Sequence, residues 1–333
     1  MGGDCLFAKT PPGGSPALRP SGNPALLMPW PEILTGFLAA AVGVGTPLLF
    51  AATGEMITAR SGVINLGVEG AMLSGALGAA IGSAMGGPWA GVVAAILGGL
   101  LISGVFAAVS IGARADQIIT GAAVTLLSVG LTGVVFRRAF GEGGPGLSIP
   151  TLDRLTIPGL FEIPLIGTAL FGQTALTYLA VLLVPVAWWL LYRTWWGLSL
   201  RACGEGVEAA RAAGVPVRRT RIIATLIGGA MAGLAGATLV LAQVGTFAEK
   251  MTAGRGFIAI AIVVLGRWHP VGVLAAALFF GAAIALQFLF QAAGTTLPYQ
   301  WFLMLPYVLA LGALAGAVGR GRARAPAELG KGS

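Results

Sequence analysis

The chain is short of charge. Its 20 Lys+Arg and 12 Asp+Glu side chains amount to 10% of 333 residues, against about 25% in a soluble globular domain. So few charges, gathered in a few places, cannot coat the surface of a water-soluble α/β enzyme, and that class is excluded. Only two cysteines occur, Cys5 and Cys203, far apart in the chain, which excludes a disulfide framework. The single histidine, His269, and the lack of any Cys/His cluster leave no metal site to expect. A net charge of +8 could suit nucleic acid. The arginines, however, sit mostly at the ends of apolar runs, where the positive-inside rule puts them, so no nucleic-acid partner is expected. What the chain has in abundance is apolar residues (56%) and glycine (53). Small residues let helices approach closely in lipid, and Gly-xxx-Gly pairs recur at Gly82/Gly86, Gly229/Gly233 and Gly312/Gly316.

Crossing about 30 Å of hydrocarbon takes roughly 20 apolar residues. Runs of that kind cover 33–53, 63–85, 88–111, 117–136, 173–193, 222–243, 270–291 and 299–318. The run Phe257–Gly266 is shorter and is stopped by Arg267-Trp268-His269-Pro270. At 1.5 Å per residue it reaches half-way across, so it predicts a re-entrant half-helix. The fold class is therefore an all-α integral membrane protein with about eight transmembrane helices plus that half-helix, and an internal repeat. Residues 1–30, Pro/Gly-rich and without a signal-peptide core, read as a disordered extension or as the product of a start codon assigned too early. Residues 31–319 form the membrane domain and 320–333 a basic tail.

Orientation follows from Lys and Arg. Segment 194–221 holds Arg201, Arg211, Arg218, Arg219 and Arg221 against Glu205 and Glu208, a net of +3. The tail holds Arg320, Arg322, Arg324 and Lys331 against Glu328, also +3, while loop 137–172 nets zero. The first two are expected inside and the third outside, which places the amino terminus outside.

The segment 194–221 is far longer than a connection between two spans requires. Glu205 and Glu208 suit the start of a short helix, Ala209–Ala213 propagates it, and Gly214 followed by Pro216 ends it. An Ala-rich rod flanked by charges suits insertion into a groove of another protein; a solvated loop helix satisfies the same pattern. In Gly62–Gly70, Asn65 and Glu69 are four apart and would share a face of a helix. A carboxylate at the membrane edge faces a cavity or a partner, so Glu69 either lines a path or pairs with Arg60 or another arginine. Gly-interrupted segments at matching positions of two halves point to a transport site, and Gly254-Arg255-Gly256 supplies the second. Asn65, Glu69, Thr120 and Gln243 are the candidate path residues. Thr125 and Ser128 could join Thr120 in offering hydroxyls, or bond their own helix. Gln243, Thr246, Glu249, Lys250 and Arg255 form an outer entrance or a solvated loop. Trp188, Trp189, Tyr192, Trp195 and Trp196 read as an interfacial belt.

Three motifs carry a family resemblance: Gly204-Glu205-Gly206-Val207-Glu208-Ala209-Ala210-Arg211-Ala212-Ala213-Gly214; Gly54-Glu55 with Arg60-Ser61-Gly62-Val63-Ile64-Asn65-Leu66-Gly67-Val68-Glu69-Gly70; and Met251–Ala259 leading to Gly266-Arg267-Trp268-His269-Pro270. Taken in their order along the chain, within residues 33 to about 318, they resemble the permease subunits of bacterial ABC importers of the branched-chain amino acid, ribose and nucleoside type, most of all the simple-sugar/nucleoside permeases. The chain departs from that pattern at Gly206-Val207, where the family usually has Asn-Pro, so a helix-starting proline is missing. The resemblance implies that Arg201, Gly204, Glu205, Glu208, Ala209, Ala210 and Gly214 belong to a loop docking onto a cytoplasmic ATPase subunit. It also implies a second permease subunit, an extracytoplasmic solute-binding lipoprotein and residence in the bacterial cytoplasmic (inner) membrane. A Walker A loop needs G-x-x-x-x-G-K-[ST]. None of the three lysines, Lys9, Lys250 and Lys331, has that context, so the chain is not expected to be an enzyme, or to need a cofactor, itself. The rival is an ion-coupled secondary transporter of a small polar solute, which would need acids inside the spans.

Overall fold

A computed structural model of the chain describes residues 30–141, 149–155, 167–292 and 325–330, with isolated positions at 304, 308, 311 and 312. The described residues are helical apart from turns and one isolated bridge between Arg154 and Thr174. In chain order the helices are α1 (Trp30–Arg60), α2 (Val68–Gly86), α3 (Pro88–Ala107), α4 (Gln117–Phe140), α5 (Gly167–Phe171), α6 (Ala175–Arg193), α7 (Trp195–Glu205), α8 (Val207–Ala212), α9 (Val217–Thr238), α10 (Arg255–Leu265) and α11 (Pro270–Ala292). Wider π-type turns extend α3 through Ala108–Gly112 and α9 through Leu239–Val244.

Seven of these helices, α1, α2, α3, α4, α6, α9 and α11, are long and apolar enough to cross a membrane. They match seven of the eight expected runs; the run 299–318, like the extension 1–30, lies outside the described residues apart from isolated positions. The boundaries differ in an instructive way. The run at 63–85 becomes helical only at Val68, because Ser61–Gly67 is a turn. Gly62 opens that turn at φ +89, a conformation open to glycine at no steric cost.

Small residues set the packing. α2 and α3 form a hairpin whose whole connection is Gly87: at φ +83 its N–H closes α2 on the Ser83 carbonyl, and Pro88 starts α3 with its φ already helical. Along this hairpin Gly78 and Gly82 face the α3 backbone at Ala94 and Ala90, and Gly98 faces Ser74. α9 then lies against both partners, with Gly233 opposite Gly75 of α2 and Ala95 of α3, and Gly229 opposite Gly99 and Ser103. α2 and α9 are each 67% buried, α4 and α6 only 33%, so the glycine-rich helices are central and the leucine-rich ones face lipid. Exposed Leu97, Leu101, Ile119, Leu126 and Leu182 mark that lipid surface.

Contacts between helix ends separate two faces. Arg60 reaches the Trp268 carbonyl and the Tyr192 hydroxyl, Arg218 the Gly112 carbonyl, and Arg221 the Ser61 carbonyl. At one end of the bundle these contacts join five connections around three arginines, the pattern that the positive-inside rule puts on the inner face. At the other end, Ile149 and Leu152 donate to the carbonyls of Gly245 and Leu241, and Arg137 pairs with Glu249 at 2.6 Å. With that end taken as the inner face, α1 runs inward.

Candidate coupling and translocation site

On the inner face the chain makes an elbow. Thr194 caps α7 by accepting the Gly197 N–H at 3.0 Å, and α7 ends at Glu205. Gly206 is extended, and α8 follows for six residues. Glu205 therefore closes α7 rather than starting the next helix, and α7 itself was not legible because its aromatic residues read as a continuing interfacial belt. α8 ends on Ala213, and Gly214 at φ +81 with Pro216 turns the chain into α9, as the Gly–Pro pattern predicts. Ala210 is buried against Cys203 and Val217. The residues left outward are Glu205, Glu208, Ala209, Arg211, Ala212, Ala213 and Gly214, a small alanine knob with charges of both signs around it.

Three expected members of this surface point inward, Ala210 and two more. Gly204 is buried so closely that a Cβ would strike the Arg60 carbonyl. Arg201 stacks its guanidinium over the Tyr192 ring, 4.9 Å from its centroid, and Tyr192 lies beside His269 at 5.6 Å. Tyr192 thus joins the inner-face network, whereas Trp189 and Trp195 are exposed as an interfacial belt requires. Cys203 is fully buried, and that burial pushes its thiol pKa up, only partly offset by the Arg221 charge and a hydrogen bond to Thr220. Reactive cysteines are exposed thiolates. In a Cys5→Ser chain, maleimide is therefore expected to leave Cys203 unlabelled in native membranes and to label it after SDS; labelling in native membranes would contradict its burial.

The second element is the broken segment at Gly62–Gly70. Glu55 accepts the Asn65 N–H at 3.0 Å, and Asn65 Oδ1 accepts the Gly67 N–H at 3.0 Å, an Asx-turn that delays α2. Asn65 and Glu69 therefore do not share a helical face, and Asn65 is buried. Among the described residues Glu69 pairs with no arginine. Its two oxygens accept the N–H groups of Gly254 (2.8 Å) and Gly256 (2.6 Å) at the start of α10. Here a carboxylate meets the positive end of a helix dipole. Gly254 at φ +82 makes the turn, and a Cβ at Gly256 would collide with the Glu69 backbone. α10 has 11 residues, roughly 16 Å, half a crossing as expected. Arg267 and Trp268, both at positive φ, turn it into α11.

The remaining candidates separate. Thr120 is buried in the first turn of α4; Ser128 bonds the Val124 carbonyl of its own helix, and Thr125 reaches the Leu66 carbonyl. Glu249 belongs to the ion pair with Arg137. Gln243 lines a cavity of about 550 Å³ toward the outer face, with Gly43, Arg154, Gln173, Thr174 and Thr177. Its Nε2 donates to the Gly43 carbonyl at 2.8 Å, and Gln173 donates to Ala39 at 3.3 Å. The size falls within the usual range for small-molecule sites. Nothing in the sequence singles out Gln173, Thr174 and Thr177, since polar residues at the start of an apolar run carry no signal of their own.

A multi-pass helical bundle with a glycine-broken centre, an outward polar cavity and an exposed inner-face knob defines a membrane transport subunit. The sequence profile of the branched-chain amino acid transport system permease component matches residues 37–314. The chain belongs to this family of ABC transporter permeases. It is 35% identical over 303 residues (87% of this chain, 94% of the relative) to a guanosine ABC transporter permease of Bacillus subtilis. It is 33% identical over 285 residues (83% and 90%) to a nucleoside ABC transporter permease of Lactococcus lactis subsp. cremoris. A provisionally named glucose ABC transporter permease of Haloferax volcanii is 43% identical over 257 residues (76% and 77%).

Proposed function

We propose that this chain forms the translocation path of an ABC importer for nucleosides or simple sugars, nucleosides foremost, in a bacterial cytoplasmic membrane. The exposed α8 knob carries the reading: two turns of small side chains bounded by Glu205, Glu208 and Arg211 offer a groove on a separate ATPase a smooth core and a charged rim. ATP is hydrolysed on that partner and not on this chain. A second permease subunit completes the pore, and a solute-binding lipoprotein delivers substrate to the outer face, where the Gln243 cavity opens. Asn65 and Glu69 serve this path by holding the backbone of its broken segments. Of the acids inside the spans, Glu69 has both oxygens engaged by backbone amides and Glu55 only Oε1, its Oε2 having no partner among the described residues; the Glu69 pairing favours this reading over ion coupling.

Reversing Glu205 and Glu208 to arginine tests it. In a complex co-expressed with the ATPase, lipoprotein and second permease, like-charge contact at the interface is expected to cut ATPase co-purification and uptake of labelled guanosine together, by more than about tenfold. Uptake that continues in cells lacking the ATPase would overturn the importer reading.

A further inference from the structure

Two pairs of residues on the inner face are tied together twice. Ser61-Gly62 follows α1, and Cys203-Gly204 closes α7. Arg221 makes the first tie: its Nε donates to the Ser61 carbonyl at 3.1 Å and its Nη2 to the Cys203 carbonyl at 3.5 Å. Residues 325–330 make the second: the Glu328 N–H donates to the Gly204 carbonyl at 2.9 Å, and the Gly330 N–H to the Gly62 carbonyl at 3.3 Å. The segment is seated for this. Pro326 is buried, Leu329 packs on the core and donates back to the Pro326 carbonyl, and Gly330 takes φ +75. The ties converge on Gly62, where a Cβ would lie 2.9 Å from Arg221 Nη2 and 3.4 Å from Glu328 Cβ.

Burying a guanidinium is costly unless it is hydrogen-bonded in place. Arg221 is only 1% exposed, and it spans two connections that are distant in sequence. Each connection leads to a different working part. Cys203-Gly204 runs into α8. Ser61-Gly62 runs through the Asn65 turn to Glu69 and, across its two hydrogen bonds, to the start of α10. Nothing else in the broken segment bonds the elbow directly among the described hydrogen bonds.

We propose that Arg221 and residues 325–330 form a transmission joint, which makes the α7–α8 elbow and the Gly62–Gly70 segment move as one body. The joint rests on the coupling role proposed for α8 and adds to it the route by which movement there reaches the path. Arg221 and the tail segment are positioning elements: they touch neither solute nor nucleotide. The segment acts through two main-chain amides, and the Glu328 carboxylate adds its charge to the Arg221 guanidinium.

The test uses the complete transporter in proteoliposomes, with labelled guanosine and labelled glucose as probes. Three altered chains are compared with wild type: one ending after Arg324, Glu328→Pro, which deletes the donor to Gly204, and Glu328→Ala, which keeps it. The expected result is that all retain the ATPase and hydrolyse ATP, while solute moved per ATP falls at least about fivefold in the truncated and proline chains. The alanine chain is expected to lose less. An unchanged transport-to-hydrolysis ratio in the truncated chain would overturn the joint. Loss of the ATPase from the truncated or proline complex would overturn it too, making the tail a docking element instead. If wild type itself fails to retain the ATPase, the coupling reading falls and the joint with it, and that arm is read before any variant. Arg221→Lys gives an independent check, since one ammonium cannot serve both carbonyls as the fork does; it is expected to lower the ratio without releasing the ATPase.

Discussion

Gly233→Leu is expected to abolish a stable permease rather than slow it. Gly233 sits where α9 meets α2 and α3 together, and a side chain there would collide with the Ala95 carbonyl and crowd the Ile96 Cα of α3. Both obstacles are main chain, so no rotamer change relieves them. Overpacking a core by a few methylenes costs about 1–3 kcal/mol when neighbours can shift. Here the relief is separation of three central helices, so the cost should stand at the top of that range or above it. The whole stability of a domain is only about 5–15 kcal/mol. Size-exclusion profiles and thermal midpoints of the detergent-solubilised chain would register the loss. Gly130→Ala provides the comparison, since Gly130 on α4 has open space around it. If the leucine variant elutes and melts like Gly130→Ala, the three-helix contact is wrong.

The second large effect belongs to Glu69. Removing its carboxylate in Glu69→Ala strands the N–H groups of Gly254 and Gly256 in a site where Glu69 is only 7% exposed. Hydrogen bonds to a charged group contribute about 1.5–3 kcal/mol each, and an unmet buried donor costs a similar amount. Loss of one such bond corresponds to about ten- to hundredfold faster amide exchange at the start of α10, measurable by hydrogen–deuterium exchange of a peptide covering 254–258. Uptake should fall by a similar factor, because α10 is too short to hold its depth once its start is released. Glu69→Gln keeps one acceptor oxygen and is expected to fall between alanine and wild type. Exchange at wild-type rates in the alanine chain would show that Glu69 does not hold the half-helix.

Much of this architecture is legible in the sequence because lipid leaves few choices. A backbone in hydrocarbon must satisfy its own hydrogen bonds, so an apolar run of sufficient length becomes a helix. Pro270 and the Gly254-Arg255-Gly256 stretch bracket a run too short to cross, and α10 follows from that alone. The short helix α8 is equally readable from Ala209–Ala213 and Gly214, whereas the α7 arm before it is not. The reading failed where an interaction between distant residues overrode local pattern. Asn65 and Glu69 have helical spacing, yet Glu55 accepts the Asn65 N–H and holds the chain in a turn. Arg201 has the appearance of a surface charge, yet the Tyr192 ring draws it under the elbow.

The amino-acid sequence by itself determined the lipid environment, the seven described spans, the half-helix and the short alanine helix beside the arginine-rich end of the bundle. These rest on apolar length, glycine and proline punctuation and the placement of arginine, all of which act within a few residues. Only the tertiary structure decided what Glu69 holds, which polar residues share a cavity with Gln243, and that Arg221 and residues 325–330 bind the same two turns. Those are pairings between segments more than a hundred residues apart in most cases. Their energy comes from hydrogen bonds to main-chain groups, N–H and C=O alike, and every residue carries a carbonyl and all but proline an N–H, so no side-chain pattern announces them.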